Sequence, residues 1–203
     1  MSPAATLGTV LLAYLPAAIT PGPNFVLIAH TAATGTRRAA VAIALGVVAS
    51  GGLLAAVAVF GLGSVLARAP WLATAMRVAC GGYLAWLGVR LWWRARAPSA
   101  PVAPAAGGGN AFGRGVLSNL TNPKAAAFFG SVLTATLPPT EPTAVKAAAV
   151  ALIVATSAAW HLTVALLFSS TATQRWYARA EPALNRVVGT VLVVLGVTLA
   201  LTP

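Results

Sequence analysis

The sequence predicts an all-α integral membrane bundle of six transmembrane helices, built as two three-helix halves that form an inverted repeat. Three observations lead there. The chain is too poor in charge to coat a water-facing surface: 59% of its 203 residues are apolar and 7% are charged, against about 25% charged in an ordinary soluble domain. Apolar runs long enough to cross a bilayer core, about 20 residues each, recur six times, and the mean hydropathy is +0.85. A low-complexity stretch divides the runs three and three. An odd number of crossings makes the second half enter the membrane from the side opposite to the first, which is the condition for an inverted-topology repeat.

Charges, Pro/Gly breaks and run length place the spans at Ala5–Ala32, Ala39–Leu66, Trp71–Trp93, Phe112–Leu137, Ala147–Ser169 and Leu184–Leu201. Residues 1–97 form the first half and residues 112–203 the second. Residues 98–111, rich in Pro, Ala and Gly and lacking large apolar groups, read as a flexible cytoplasmic linker. The first 36 residues carry no charge, so the amino terminus lacks the basic segment of a cleavable signal and reads as the first span.

The basic residues are segregated between spans. Arg37, Arg38, Arg90, Arg94, Arg96, Arg114, Arg175, Arg179 and Arg186 flank the odd-numbered connections, and only Arg68 and Lys146 lie on the other side. By the positive-inside rule the odd-numbered connections face the cytoplasm and both termini lie outside. Trp71, Trp92, Trp93, Trp176 and Tyr177 fall near span ends, where amphipathic rings favour the headgroup level. The pI near 11.8 therefore reflects topology. It does not mark a nucleic-acid surface, which needs a basic face on a soluble domain.

Two spans are interrupted. Span 1 contains Thr20-Pro-Gly-Pro-Asn24 and span 4 contains Leu120-Thr-Asn-Pro-Lys124. Proline removes a donor and clashes with the carbonyl four residues back. Pro21, Pro23 and Pro123 are thus expected to free the carbonyls of Ala17, Ile19 and Asn119, which in a membrane must find partners or line a wet cavity. Gly22-Pro23 and Asn122-Pro123 look like the starts of new half-helices, with a cap followed by proline. A half-helix start suits a carboxylate and freed carbonyls suit an ammonium. The predicted substrate-binding residues are therefore Pro21, Gly22, Pro23, Asn24, Asn122, Pro123 and Lys124, at a point where the two breaks meet.

Lys124 is the sharpest residue of the set. An ammonium near the centre of a span costs about 2.5–3.5 kcal/mol. The chain has no Asp, and its only acidic side chains, Glu141 and Glu181, lie in connections. Lys124 must be neutral, bonded to carbonyls or satisfied by an anionic ligand. His161, mid-span 5, reads either as a proton-coupling group or as a histidine bonded to a neighbouring helix. His30 reads as interfacial, and Arg77 as able to snorkel outward. Ala42, Gly46 and Ser50, with Gly81 and Gly82, form small-residue stripes for close helix packing. Cys80 reads as a packing residue.

No enzyme constellation is present: there is no HExxH, no GxSxG, no P-loop and no carboxylate pair. No cofactor or metal is called for, and the absence of Asp, of Glu in the spans and of a Cys cluster weakens a metal-transport reading.

Thr20-Pro-Gly-Pro-Asn24, Gly35-Thr-Arg-Arg38, Ala44-Leu-Gly46, Gly82-Tyr-Leu-Ala-Trp-Leu-Gly88, and Phe112-Gly-Arg-Gly-Val-Leu-Ser-Asn119 leading to Thr121-Asn-Pro-Lys124 together resemble the LysE/RhtB superfamily of amino-acid exporters across nearly the whole chain. The resemblance implies a six-helix inner-membrane secondary transporter that exports amino acids or related metabolites on an ion gradient, as a homodimer. Many members carry Asp where this chain has Asn24, so proton coupling would pass to His161 or Lys124. The residues alone leave open a passive channel, a small ion or metal efflux protein, or a membrane scaffold subunit. The sparse charge in the spans favours a neutral or zwitterionic cargo.

Overall fold

The computed structural model describes residues 2–62, 69–96, 110–137 and 140–201. Helix α1 (Pro3–Ile19) starts at Ser2, whose Oγ accepts from the Ala5 amide at 3.3 Å, with Pro3 at the first helical position. It stops where Pro21 and Pro23 withdraw two donors in succession, and the Thr20 amide closes the last turn on the Pro16 carbonyl. Gly22 begins α2 (Pro23–Thr34), whose axis is bent 53° from that of α1. The hydroxyl of Thr36 caps α3 (Arg37–Ala56), which continues as a π-helical segment, Val57–Leu62.

Helix α4 spans Pro70–Arg94. The second half opens with α5 (Ala111–Leu120), capped by the Asn110 side chain, and breaks at Thr121 and Asn122. Helix α6 (Pro123–Ala127) then runs through a π-helical segment, Phe128–Val132, into α7 (Leu133–Thr136). Helices α8 (Thr143–Leu167) and α9 (Thr171–Leu201) complete the chain. Among the described residues there is no strand.

Backbone contact between small residues sets the packing. Helices α4 and α9 form the most extensive pair and cross antiparallel on two matched glycine pairs, Gly81 with Gly196 and Gly88 with Gly189. A Cβ on Gly81 would lie 2.6 Å from the Gly196 carbonyl, and one on Gly189 would lie 2.7 Å from the Gly88 carbonyl. Helix α3 is held between α5 and α8. Its Gly46 rests directly on the Phe112 backbone, and Gly115 of α5 rests on that of Ile43. Such contacts replace the hydrophobic drive that lipid does not supply between helices.

The outer surface is apolar, with Leu12, Leu53, Val57, Phe60, Val78, Trp86, Leu117, Val187 and Val194 all exposed. Helices α3, α8 and α9 are long and apolar enough to cross a membrane, and the bent pair α1–α2 makes a fourth span if taken together. Helix α4 is 25 residues long but carries Arg77, Arg90 and Arg94, and the remaining expected span is divided among α5, α6 and α7.

One expectation needs correction. The last helix does not begin at Leu184 but runs unbroken from Thr171, so the arginines assigned to a loop lie on a helix and the connection shrinks to residues 168–170. Ser170 starts that helix, its Oγ accepting from the Thr173 amide, and Ala- and Arg-rich sequence sustains it through Pro182. Tyr177 packs its ring 5.1 Å from Phe25 and 5.1 Å from Phe168, whereas Trp176 is exposed. Arg77 donates to the Thr74 hydroxyl, one turn nearer the start of α4, at 3.3 Å, and among the described residues its Nε has no partner. The linker expected at 98–111 lies outside the described residues except for Asn110 and Ala111, which already belong to the cap and first turn of α5.

At the opposite end, Thr6 Oγ1 donates to Glu141 Oε1 at 3.0 Å and ties α1 to the turn before α8. Thr6 is fully buried. Thr6→Val, which removes the donor and keeps the shape, is expected to cost about 2 kcal/mol, read as a lower melting temperature of the detergent-solubilised protein.

Candidate functional site

The two interruptions meet. Lys124 Nζ donates to the Thr20 carbonyl at 2.9 Å across 104 residues of sequence. Gly22 admits that approach: a Cβ there would stand 3.2 Å from the lysine nitrogen. The break in α1–α2 and the break in α5–α6 are thereby joined through a cation and a main-chain oxygen.

A chain of amides and hydroxyls runs beside this bond. Ser118 Oγ donates to Asn24 Oδ1 at 2.8 Å, and Asn24 Nδ2 donates to Asn119 Oδ1 at 2.8 Å. Asn119 Nδ2 donates to Ser50 Oγ at 3.0 Å, which donates on to the Gly46 carbonyl at 2.8 Å. Asn24, Asn119 and Ser50 are each buried. A satisfied polar chain of this kind ties α2, α5 and α3 into one arrangement, because breaking any link would strand a buried polar group.

Asn122 does two things. Its Oδ1 caps α6 by accepting from the Lys124 amide at 3.0 Å. Its Nδ2 is buried and has no partner, in a residue only 3% exposed. On α8, His161 is buried, with Nδ1 2.9 Å from the Ser157 carbonyl and 3.1 Å from the Ser157 hydroxyl. A carbonyl only accepts, so this geometry puts a proton on Nδ1 and leaves Nε2 to take or release one.

These groups surround one small cavity of about 40 Å³ that opens in part to the exterior. Its polar lining includes Thr20, Asn24, Asn119, Asn122, Lys124, Ser157 and His161. Two aromatic clusters border it. Tyr14 packs 5.3 Å from Phe128, which lies 5.2 Å from Phe129. Phe25, also in the lining, packs 5.4 Å from Phe168 and 6.3 Å from Trp160.

Of the residues expected at the site, Asn24, Asn122, Lys124 and His161 line this cavity. Pro21, Gly22, Pro23 and Pro123 do not; they shape the breaks, and Pro23 and Pro123 are exposed. The carbonyl that receives the ammonium is that of Thr20, the residue between the end of α1 at Ile19 and Pro21, not those of Ala17 or Ile19. The Asn119 carbonyl is not free either, since it accepts from the Asn122 amide at 3.2 Å. The α6 helix is only five residues long before it widens, so side chains, not a helix end, make the electropositive face there. Ser50, expected only to pack, belongs to the polar chain, and Ser118, Asn119 and Ser157 were not singled out as site residues. Their signal was a polar side chain inside an apolar run.

Asn119→Ala removes two links of this chain, strands Asn24 Nδ2 and takes from Ser50 Oγ the donor it accepts, while Ser50 still donates to the Gly46 carbonyl. It is expected to destabilise the protein by about 2–3 kcal/mol, measured by thermal unfolding in detergent, where Asn119→Ser should be milder.

A cation, an unpartnered amide and a histidine around a cavity, inside a bundle whose outer surface is apolar, fit a multi-pass membrane transport protein. The family and relatives the chain matches indicate a transporter and not an enzyme. The chain belongs to the LysE type translocator family, whose model matches residues 15–202. It is 31% identical over 199 residues to the threonine efflux protein of Escherichia coli strain K12, covering 96% of this chain and 97% of that protein. The same figures hold for the threonine efflux protein of Salmonella typhimurium. An uncharacterized membrane protein of Escherichia coli, YahN, is 29% identical over 185 residues, covering 88% of this chain and 82% of its own length. No solved structure matches the chain.

Proposed function

We propose that this protein exports threonine, or a closely related neutral amino acid, across the cytoplasmic membrane by alternating access driven by the proton gradient. The observation that carries this reading is the Lys124 ammonium seated on the Thr20 carbonyl where the two broken helices meet. In a membrane interior a cation without an acidic partner marks a pathway or a binding site, and the relatives named for threonine efflux supply the cargo.

The six-span, two-half architecture belongs to the same proposal. It is supported by pairings that repeat between the halves: α3 lies against α5 as α8 lies against α1, and α4 and α9 offer matching glycines seven residues apart. Counting basic residues puts the α2–α3, α4–α5 and α8–α9 connections in the cytoplasm and both termini outside. On that orientation Phe25, Phe168 and Tyr177 close the cavity inward, and Tyr14, Phe128 and Phe129 close it outward. Rocking one half against the other would open these two clusters in turn. His161 is the proton carrier in this scheme.

Reconstituted into liposomes, the protein should drive uphill L-threonine movement when a pH gradient is imposed. Downhill flux with ionic conductance and no accumulation would instead make it a channel. Phe25→Ala and Phe128→Ala each remove one closing ring, and each is expected to raise gradient-independent threonine leak several-fold in the same vesicles.

A further inference from the structure

We infer that Lys124 occupies, in the empty carrier, the seat that the α-ammonium of the cargo takes on loading, so that only a molecule with both a free ammonium and a free carboxylate can load. The inference rests on the reading of the cavity as an amino-acid site and says how that site selects.

The argument is one of partners. Among the described residues, the acceptor for Lys124 Nζ is the Thr20 carbonyl, and the Asn122 Nδ2 group beside it on the chain is buried with none. Neither Glu141 nor Glu181 lines the cavity, and the chain has no Asp. An amine without a carboxylate must share or contest the Thr20 carbonyl with Lys124, which sets two ammonium charges side by side with no anion to offset them. An acid without an amine can share the three donors of Lys124 and take Asn122 Nδ2, but as Lys124 turns toward it the bond to the Thr20 carbonyl weakens and nothing replaces it at membrane depth.

A zwitterion makes both exchanges at once. Its ammonium replaces Lys124 on the Thr20 carbonyl, and its carboxylate receives Lys124 Nζ and the unpartnered Asn122 Nδ2. No polar group is left stranded and net charge in the cavity is unchanged. Loading also cuts the direct bond between the two helix breaks and substitutes a bridge through the cargo, which binds the selection to the relative position of the two halves.

The test uses purified full-length protein in detergent and three probes: L-threonine, its carboxylate-free analogue threoninol, and the amine-blocked N-acetyl-L-threonine. In the wild-type protein, threoninol and N-acetyl-L-threonine should bind about 10- to 100-fold more weakly than L-threonine, the loss expected for one missing charged hydrogen-bonding partner. In Lys124→Met the seat stands empty, so threoninol should gain about tenfold while L-threonine loses as much or more, and the order of the two ligands should converge or invert. Lys124→Met that loses L-threonine without gaining threoninol would overturn the shared seat and leave the amino-acid site standing. Wild-type protein that binds none of the three would remove the site itself, and this inference with it.

An arm on the unmutated chain guards against a variant that fails to fold. The protein has two lysines, Lys124 and Lys146, so ¹⁵N-lysine labelling gives two side-chain resonances, assigned by Lys146→Arg. Saturating L-threonine should shift the Lys124 Nζ signal, and threoninol at the same concentration should not. A Lys124 signal unmoved by bound L-threonine would contradict the exchange.

Discussion

Lys124→Ala is expected to abolish threonine efflux while the protein still inserts and accumulates in the membrane. Insertion should not suffer, because taking an ammonium out of a span removes a penalty of about 2.5–3.5 kcal/mol. Function should suffer because two things go together: the cation that meets the cargo carboxylate, and the bond from Lys124 to the Thr20 carbonyl that joins the broken helices. Loss of a charged hydrogen bond at a buried site corresponds to about 1.5–3 kcal/mol, or roughly 10- to 100-fold in affinity, before any loss of coupling between the halves. Cells fed a threonine-containing dipeptide should therefore retain threonine to the level of a deletion strain, with protein abundance unchanged by immunoblot. Normal efflux from the variant would mean that the cargo does not pass Lys124.

The second large effect concerns assembly. Gly88→Leu should prevent α4 from seating on α9, because even a Cβ at that position would stand 2.5 Å from the Gly189 carbonyl and 2.8 Å from Val193. The obstacle is backbone, which cannot rotate aside, so the helices must separate and lose the contact that their glycines permit. Overpacking of this kind costs about 3 kcal/mol or more, and the variant should elute as aggregate where the wild-type protein is monodisperse. Gly82→Ala, six residues away on the same helix, is the matched control: nothing lies within 4 Å of a Cβ there, and its elution should be unchanged.

The parts of this molecule that the sequence announced are those set by local chemistry. Two prolines around Gly22 and one after Asn122 can only end and restart helices, and a lysine deep in an apolar run must find a partner. The caps at Gly22 and Asn122 followed from the same rules. The choice of partner was not legible, because the Thr20 carbonyl is offered by a helix end whose position depends on how α1 stops. The links Asn24–Asn119 and Asn119–Ser50 join residues 95 and 69 apart, and no spacing along one helix encodes them. The start of the last helix was misplaced for the opposite reason. Arg175, Arg179 and Pro182 look like a connection by charge and by breaker chemistry, yet Ser170 caps a helix that carries them through.

The account depends on the two interrupted helices meeting inside the bilayer, and a disulfide test in native membranes addresses that most directly. In a Cys80→Ser background, Asn24→Cys and Ser118→Cys replace side chains that touch at 2.8 Å across the two halves. Mild oxidation should join them within minutes, seen as loss of labelling by a thiol-reactive reagent that is restored on reduction. Thiols that stay free and labelled under conditions where the protein is present and inserted would place the breaks apart, and the site described here would not exist.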